Sequence, residues 1–128
     1  MAKWKDVTSP WPIDVAEFTE GVKFDQGKAP YHLLPPELLD GVAQVLAFGA
    51  NKYSERNWEF GMAWSRPFGA LMRHMWSWWR GESKDPETGM SHLWHAGCCI
   101  AFLMAYEQRN VGADDRPKIN TNQLELDV

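Results

Sequence analysis

The segment from 91 to 109 places the strongest limit on how this chain can fold, because it is apolar on nearly every side of a helix. Ile100 and Met104 fall on one helical face, and Phe102 and Tyr106 fall on another. The apolar stretch is far shorter than the roughly 20 residues that cross a bilayer. It therefore predicts a helix that is buried on several sides, which one short chain can achieve by assembling into a symmetric homo-oligomer.

Two further segments have the period of an amphipathic helix, and no segment has the sustained two-residue alternation of a strand. The first is predicted to begin at Pro36 and to end near Tyr53. The second is predicted to have Ser65 as its N-cap, Pro67 in its first turn and Gly81 as its stop. The pattern indicates an all-α fold, a compact bundle of three to four main helices that is completed by oligomerisation.

The ends of the chain differ in composition from its centre. Residues 1–21 lack a sustained period, and residues 110–128 are polar and rich in helix breakers. We therefore predict an N-terminal arm (1–21), a helical catalytic domain (22–109) and a C-terminal tail (110–128).

Composition excludes several classes of protein. The net charge of −4 gives no long-range attraction for a nucleic acid polymer. Cys98 and Cys99 are adjacent in the chain, so they are poorly placed to cross-link distant segments, and they predict a reducing compartment. The first residues lack the apolar stretch of about 7 to 15 residues that export needs. We expect a cytoplasmic protein without a membrane partner.

Potential metal ligands are densest between the second and third helical segments. Three loop carboxylates and two histidines of the next helix make up the group: Glu82, Asp85, Glu87, His92 and His95. Positions 92 and 95 share one helical surface, and carboxylates are the ligands that Mg²⁺ and Mn²⁺ prefer. Two or more such ions could neutralise a triphosphate and activate water. Glu82, Asp85 and His74, from the preceding helix, are the predicted catalytic residues.

Other roles for these residues stay open at this point. The loop acids could simply face solvent without binding a metal, and the histidines could serve as a helix cap and a core residue. A zinc site is a further alternative, because Cys99 lies one helical turn beyond His95. No second pair of thiols at zinc-finger spacing supports it.

Phosphate and base contacts are predicted from residues outside that loop. The predicted substrate-binding residues are Lys23, Asp25, Lys28, Lys52, Asn57, Trp58 and Arg73. A guanidinium on a rigid helix can hold two phosphate oxygens, whereas lysine acts as a point charge. Trp58, in a loop beside a polar residue, is the predicted platform for the base. The alternatives are solvated lysines, a salt bridge for the arginine and a core tryptophan.

An ordered series of motifs covers residues 22–106. It comprises Lys23-Phe-Asp-Gln-Gly-Lys, Leu33-Leu-Pro-Pro-Glu, Phe48-Gly-Ala-Asn-Lys-Tyr, Asn57-Trp, Arg73-His, Gly81-Glu, Asp85-Pro-Glu-Thr-Gly and His92-Leu-Trp-His. The series resembles the phage dATP/dGTP diphosphohydrolase family. That resemblance implies release of pyrophosphate from dATP and dGTP in the host cytoplasm. It also implies a relation to the all-α, MazG-like nucleoside triphosphate pyrophosphohydrolases, which are dimers or tetramers whose acids hold Mg²⁺.

The chain departs from the MazG-like signature in one respect. Glu82-Ser-Lys-Asp85 matches the letters E-x-x-D but follows a glycine in a loop, whereas His92-Leu-Trp-His95 occupies the helix where that motif is expected. The prediction is metal-dependent hydrolysis of purine deoxynucleoside triphosphates to the monophosphate and pyrophosphate. The alternative is a zinc-stapled or metal-free helical interaction protein without catalysis.

Overall fold

Three helices organise residues 35–119 of the computed structural model: α1 (Pro36–Lys52), α2 (Ser65–Trp79) and α3 (His92–Arg109). The structure describes residues 21–119. Within them, residues 21–34 form a separate unit that contains a turn and the short 3-10 helix Tyr31–Leu33. Residues 1–20 of the predicted arm and residues 120–128 of the predicted tail lie outside the described residues, so that division stays a prediction.

The third helix is the centre of the fold, because it packs against both α1 and α2. A second 3-10 helix, Asn57–Phe60, joins α1 to α2 and also contacts α3. Between residues 21 and 119 the only extended pairings are the isolated bridges Ala63–Ala113 and Lys84–Ser91. The all-α prediction is confirmed for this part of the chain.

The predicted helix bounds agree closely with the structure at α1 and α3. Ser91 is the N-cap of α3, and its hydroxyl oxygen accepts a hydrogen bond from the Leu93 N–H at 3.1 Å. At α2 the predicted cap was wrong by one residue. Ser65 is the first helical residue, its N–H donates to Asp115 Oδ1 at 2.9 Å, and its hydroxyl donates to Asp115 Oδ2. A carboxylate from far along the chain thus performs the capping that Ser65 was expected to perform.

A close approach of α1 and α3 depends on glycine. A β-carbon at Gly41 would lie 2.6 Å from Cδ1 of Trp94, well inside van der Waals contact. On the facing helix, a β-carbon at Gly97 would lie 3.2 Å from Cγ2 of Val42. These glycines allow α1 to lie directly on the start of α3.

Aromatic side chains pack around the far end of α3. Tyr106 is fully buried, and its hydroxyl donates to the carbonyl oxygen of Trp58 at 2.6 Å. The Trp58 ring stacks on Phe102 with 4.5 Å between ring centroids. Nearby, the Trp64 indole N–H donates to the carbonyl oxygen of Val111 at 2.8 Å. Each buried polar atom in this group therefore has a hydrogen-bond partner.

Much apolar surface of the helices is left exposed. Trp76 and Trp79 on α2 are 58% and 71% exposed, and Met104 on α3 is 57% exposed. Few large side chains are fully buried among the described residues, so this unit has a small core for its size. No helix among the described residues combines the length and apolarity needed to cross a membrane.

Candidate functional site

The connection between α2 and α3 folds back over the first turn of α3. The His92 N–H donates to the Ser83 carbonyl oxygen at 3.0 Å, and the Asp85 N–H donates to the Met90 carbonyl oxygen at 2.8 Å. The bridge between Lys84 and Ser91 lies between these two bonds. The chain therefore brings its loop carboxylates onto the start of α3, where the histidines lie.

Asp85 organises the tip of this loop. Its Oδ2 accepts hydrogen bonds from the N–H of Glu87 at 3.1 Å, the N–H of Thr88 at 3.0 Å and the Thr88 hydroxyl at 3.2 Å. Burial raises the pKa of Asp85, but the hydrogen bonds from Thr88 and the nearby imidazoles of His95 and His74 outweigh burial and lower it. Asp85 is thus held as a carboxylate that faces the histidines.

Three residues form a cluster that fits a single divalent ion. His74, Asp85 and His92 each offer one ligand atom, and these atoms lie within 4.8 Å of one another. The Nδ1 atoms of His74 and His92 are 2.9 Å apart. Two nitrogens bound at about 2.1 Å to one ion are separated by roughly 3.0 to 3.4 Å. The observed distance between the two Nδ1 atoms is close to this separation of two ligands on one metal ion. This donor set, two imidazoles and one carboxylate, fits a metal ion.

Glu82 contacts the cluster through a histidine. Its Oε1 lies 2.7 Å from Nε2 of His92, on the other side of the ring from the Nδ1 that faces His74. The His92 side chain is 4% exposed, whereas that of Glu82 is 53% exposed. Glu82 therefore connects a buried imidazole to the solvent side of the loop.

His95 lies beside the cluster and stacks on His74. The two rings are nearly parallel, with an angle of 6° and 4.5 Å between centroids. Nε2 of His95 is 2.7 Å from the Thr88 hydroxyl oxygen. Burial lowers the pKa of His95, although Asp85 opposes this, and burial together with neighbouring His95 lowers the pKa of His74. Both imidazoles therefore favour the neutral form, which is the form that binds metals.

The other predicted metal ligand, Glu87, lies at the edge of the loop. Its Oε1 is 3.4 Å from Nζ of Lys52, and both side chains are exposed. Such a pair contributes little to stability. The contact nevertheless places the predicted phosphate ligand Lys52 of α1 beside the loop that carries Asp85.

Arg73 is the predicted substrate residue next to the cluster, because it precedes His74 on α2. It lines an open groove of about 430 Å³ on that helix together with Trp76 and Arg80. Its charge lowers the pKa of the Cys99 thiol, although burial raises that pKa more strongly. The guanidinium is therefore near the buried face of α3 and still accessible from solvent.

The remaining predicted substrate residues belong to the unit 21–34 or to the 3-10 helix Asn57–Phe60. Lys23, Asp25 and Lys28 belong to the unit 21–34, where the Lys28 N–H donates to the Asp25 carbonyl oxygen at 3.2 Å. Asn57 is exposed at the start of its 3-10 helix. The Trp58 ring is half-buried against Phe102, as described above. The substrate roles of these residues stay predictions.

Cysteine is absent from the ligand cluster among the residues that the structure describes. Burial, with a smaller contribution from the neighbouring Cys99, raises the pKa of the Cys98 thiol to about 12. Metals bind the thiolate form, which such burial disfavours. The described residues thus give no support to the alternative of a zinc site that includes Cys99.

Sequence reasoning missed Thr88, and it named His74 as a catalytic residue but not as a metal ligand. The Thr88 hydroxyl contacts Asp85 and His95 and accepts the N–H of Met90 at 3.2 Å. The signal for Thr88 was the sequence Asp-Pro-Glu-Thr-Gly, because an aspartate that bonds to N–H groups two and three residues later, before a glycine, is typical of a turn. Nothing local marks His74, which is 18 residues from His92.

The fold and the cluster define an all-α protein with a histidine- and carboxylate-lined site. Residues 19–116 match the family model described as dATP/dGTP diphosphohydrolase, N-terminal. The chain belongs to this family, as its motifs predicted. No solved structure is significantly similar to the chain.

A curated relative supports the same family. A dATP/dGTP diphosphohydrolase of Salmonella phage PMBT28 is 38% identical to the chain over 96 residues. The aligned region covers 75% of this chain and 33% of the relative. The chain thus spans about a third of the length of that relative. The predicted relation to MazG-like enzymes stays a prediction.

Proposed function

We propose that this chain hydrolyses purine deoxynucleoside triphosphates to the monophosphate and pyrophosphate with divalent metal ions, in the cytoplasm of a phage-infected host. The observation that carries the proposal is the grouping of His74, Asp85 and His92, with ligand atoms within 4.8 Å, in a chain of the dATP/dGTP diphosphohydrolase family. A metal-free interaction module would have no need for this costly arrangement of part-buried polar groups.

In the proposed reaction, a water oxygen attacks the α-phosphorus, the bond to the bridging oxygen breaks, and pyrophosphate leaves. His74, Asp85 and His92 would hold a divalent ion, and two or more ions of Mg²⁺ or Mn²⁺, as the sequence predicts, would supply charge neutralisation and water activation. One of the predicted catalytic residues, Glu82, Asp85 or His74, would accept the proton of the attacking water. Arg73, which precedes His74 on α2, and Lys52, which contacts Glu87 of the loop, would orient phosphate oxygens.

The test is hydrolysis of a panel of dNTPs and NTPs in H₂¹⁸O with Mg²⁺ or Mn²⁺. Attack at the α-phosphorus puts the heavy oxygen in the monophosphate and releases unlabelled pyrophosphate. We expect this result with dATP or dGTP and a faster rate than with the pyrimidine nucleotides. Release of orthophosphate and a nucleoside diphosphate would show that another bond is cleaved, and no turnover with any nucleotide would overturn the proposal.

The same proposal includes a homodimer or homotetramer. It is supported by the apolar surface of α2 and α3 that this chain leaves exposed, including Trp76, Trp79 and Met104. Light scattering at micromolar concentration tests it. A monomer that is active at that concentration would contradict it.

A further inference from the structure

We infer that Glu82 and Thr88 are positioning residues that hold two imidazoles in one tautomer, so that His74, His92 and Asp85 bind one transition-metal ion in preference to Mg²⁺. This inference rests on the proposed function, because it assigns roles within the same site. It also differs from the sequence prediction, in which Glu82 and His95 were themselves ligands.

The contact with Glu82 determines which ring nitrogen of His92 carries a proton. A carboxylate accepts hydrogen bonds, so the 2.7 Å contact between Glu82 Oε1 and His92 Nε2 places the ring proton on Nε2. With that proton on Nε2, the nitrogen available to a metal is Nδ1, the atom that lies 2.9 Å from Nδ1 of His74. A histidine that donates one N–H to a carboxylate and binds metal with the other nitrogen is a common arrangement in metalloproteins.

The Thr88 hydroxyl determines which ring nitrogen of His95 carries a proton. The Thr88 hydroxyl donates to Asp85 Oδ2 at 3.2 Å and accepts from the Met90 N–H at 3.2 Å. Having donated its only proton, the hydroxyl accepts from Nε2 of His95 at 2.7 Å. His95 is thereby fixed against His74, at 4.5 Å between ring centroids, and Asp85 is fixed by the same hydroxyl.

The donor atoms of the cluster determine which metal ion it prefers. Two imidazole nitrogens and one carboxylate suit Mn²⁺, Co²⁺ or Zn²⁺, whereas Mg²⁺ prefers oxygen ligands alone. Three protein ligands also leave coordination positions for water or phosphate oxygens, as catalytic metal sites require. Any further ion that the reaction needs could be Mg²⁺ on the triphosphate itself.

The probe for this site is Co²⁺, whose visible absorption reports nitrogen ligands directly. Chelator-treated protein is titrated with Co²⁺ by absorption and calorimetry, and with Mg²⁺ by calorimetry. We expect one Co²⁺ per chain with a ligand-field spectrum, and binding of Mg²⁺ at least tenfold weaker. Equal affinity for Mg²⁺, or a Co²⁺ spectrum of the hydrated ion, would overturn the inference.

Variants separate positioning from ligation. Glu82→Ala should weaken Co²⁺ binding about 10- to 100-fold and keep the spectrum at saturating Co²⁺, because the ligands remain. Glu82→Gln retains an acceptor oxygen and should lose less Co²⁺ affinity. Glu107 is an exposed glutamate on α3, and Glu107→Ala should leave Co²⁺ affinity unchanged. Loss of the spectrum at saturating Co²⁺ in Glu82→Ala would make Glu82 a ligand, and unchanged affinity would give it no role. Either result contradicts the inference.

Two substitutions of Thr88 form a matched pair, and substitutions of the ligands Asp85 and His92 show what loss of a ligand does to the Co²⁺ spectrum. Thr88→Val removes the hydroxyl and should weaken Co²⁺ binding, whereas Thr88→Ser should restore it. His92→Ala should abolish the spectrum, and Asp85→Asn, which is accommodated on the loop, provides the same test if that variant fails to fold. Co²⁺ binding with these properties but without pyrophosphate release would leave the inference standing and refute the proposed function. Pyrophosphate release without the Co²⁺ spectrum would do the reverse.

Discussion

The two ends of α3 differ in the side chains that surround them, which are polar at the first turn and aromatic near the last turns. At its first turn, His92 is buried among polar groups, with an imidazole on one side and a carboxylate on the other. Near its last turns, Tyr106 is buried among aromatic rings, and its hydroxyl has one backbone acceptor. Apolar packing stabilises a fold directly, whereas buried imidazoles stabilise it only when all their partners are in place. From this difference we expect the second end to hold the fold together and the first end to serve the proposed chemistry.

The largest expected effect is on activity, at the polar end. Asp85→Asn removes the negative charge from the cluster and keeps an oxygen that can accept the loop N–H groups. Turnover should fall about 100-fold or more at limiting metal concentration, while the free energy of unfolding changes little, because no core cavity is made. Steady-state rates and urea unfolding check the two parts.

Glu107→Gln, which removes a charge from exposed surface, is the control for Asp85→Asn. Near-normal turnover of Asp85→Asn would move the centre away from this loop. Glu37 and Asp40, on the first turns of α1, would then be the leading carboxylates.

The next effect is on stability, at the aromatic end. Tyr106→Ala should lower the free energy of unfolding by about 3 to 5 kcal/mol, because it leaves a cavity beneath Trp58 and Phe102. Tyr106→Phe should cost only about 1 kcal/mol, because it keeps the ring and leaves one carbonyl oxygen without a donor. Urea unfolding measures both variants, and Co²⁺ affinity should be unchanged in Tyr106→Phe. A large loss of metal affinity there would mean that the two ends are not separate.

A pair of glycines tests the contact that holds α1 near the polar end. Gly41→Ala places a methyl group 2.6 Å from the Trp94 ring and should destabilise the fold by about 1 to 3 kcal/mol. Gly49→Ala lies on the same helix and meets nothing within 4 Å. It should therefore stabilise the fold by about 0.5 to 1 kcal/mol, since alanine favours the helix. Equal effects of the two substitutions would contradict the described crossing of α1 and α3.

The smallest effect concerns the capping of α2 by Asp115. Hydrogen bonds from the Ser65 hydroxyl and N–H lower the pKa of Asp115. Its contribution to stability is therefore fully present above the ordinary carboxyl pKa of about 4 and fades as the pH falls through the lower pKa of the folded protein. Asp115→Ala should lower the unfolding midpoint slightly at pH 7, and the difference from the unaltered protein should shrink in acid. A difference that grows in acid would have the wrong sign.

The sequence predicted what local patterns decide. The bounds of α1 and α3 follow from periodicity and from residues within the same few positions, so Pro36 was placed correctly and the start of α3 was predicted to within one residue. Ser65 was not, because the carboxylate that caps α2 comes from Asp115, 50 residues later. A pattern that extends over one helical turn carries no signal from so far along the chain.

The candidate site shows the same limit. The loop carboxylates and the spacing of His92 and His95 were visible in the sequence. The pairing of His74 with His92 depends on how α2 packs on α3, and the placement of Thr88 depends on the turn at Asp85. Sequence reasoning could therefore find the neighbourhood of the site, but it could not separate residues that face one another from residues that hold them.

Because one helix begins in the candidate site and ends in the core, ligand binding and global unfolding should be thermodynamically linked. A ligand that binds only the folded protein at a hundred times its dissociation constant stabilises it by about 2.7 kcal/mol. Here that free energy acts on the helix that both α1 and α2 need for their packing. Slower amide hydrogen exchange should therefore extend along α3 as far as Tyr106, well beyond the residues that touch the ligand.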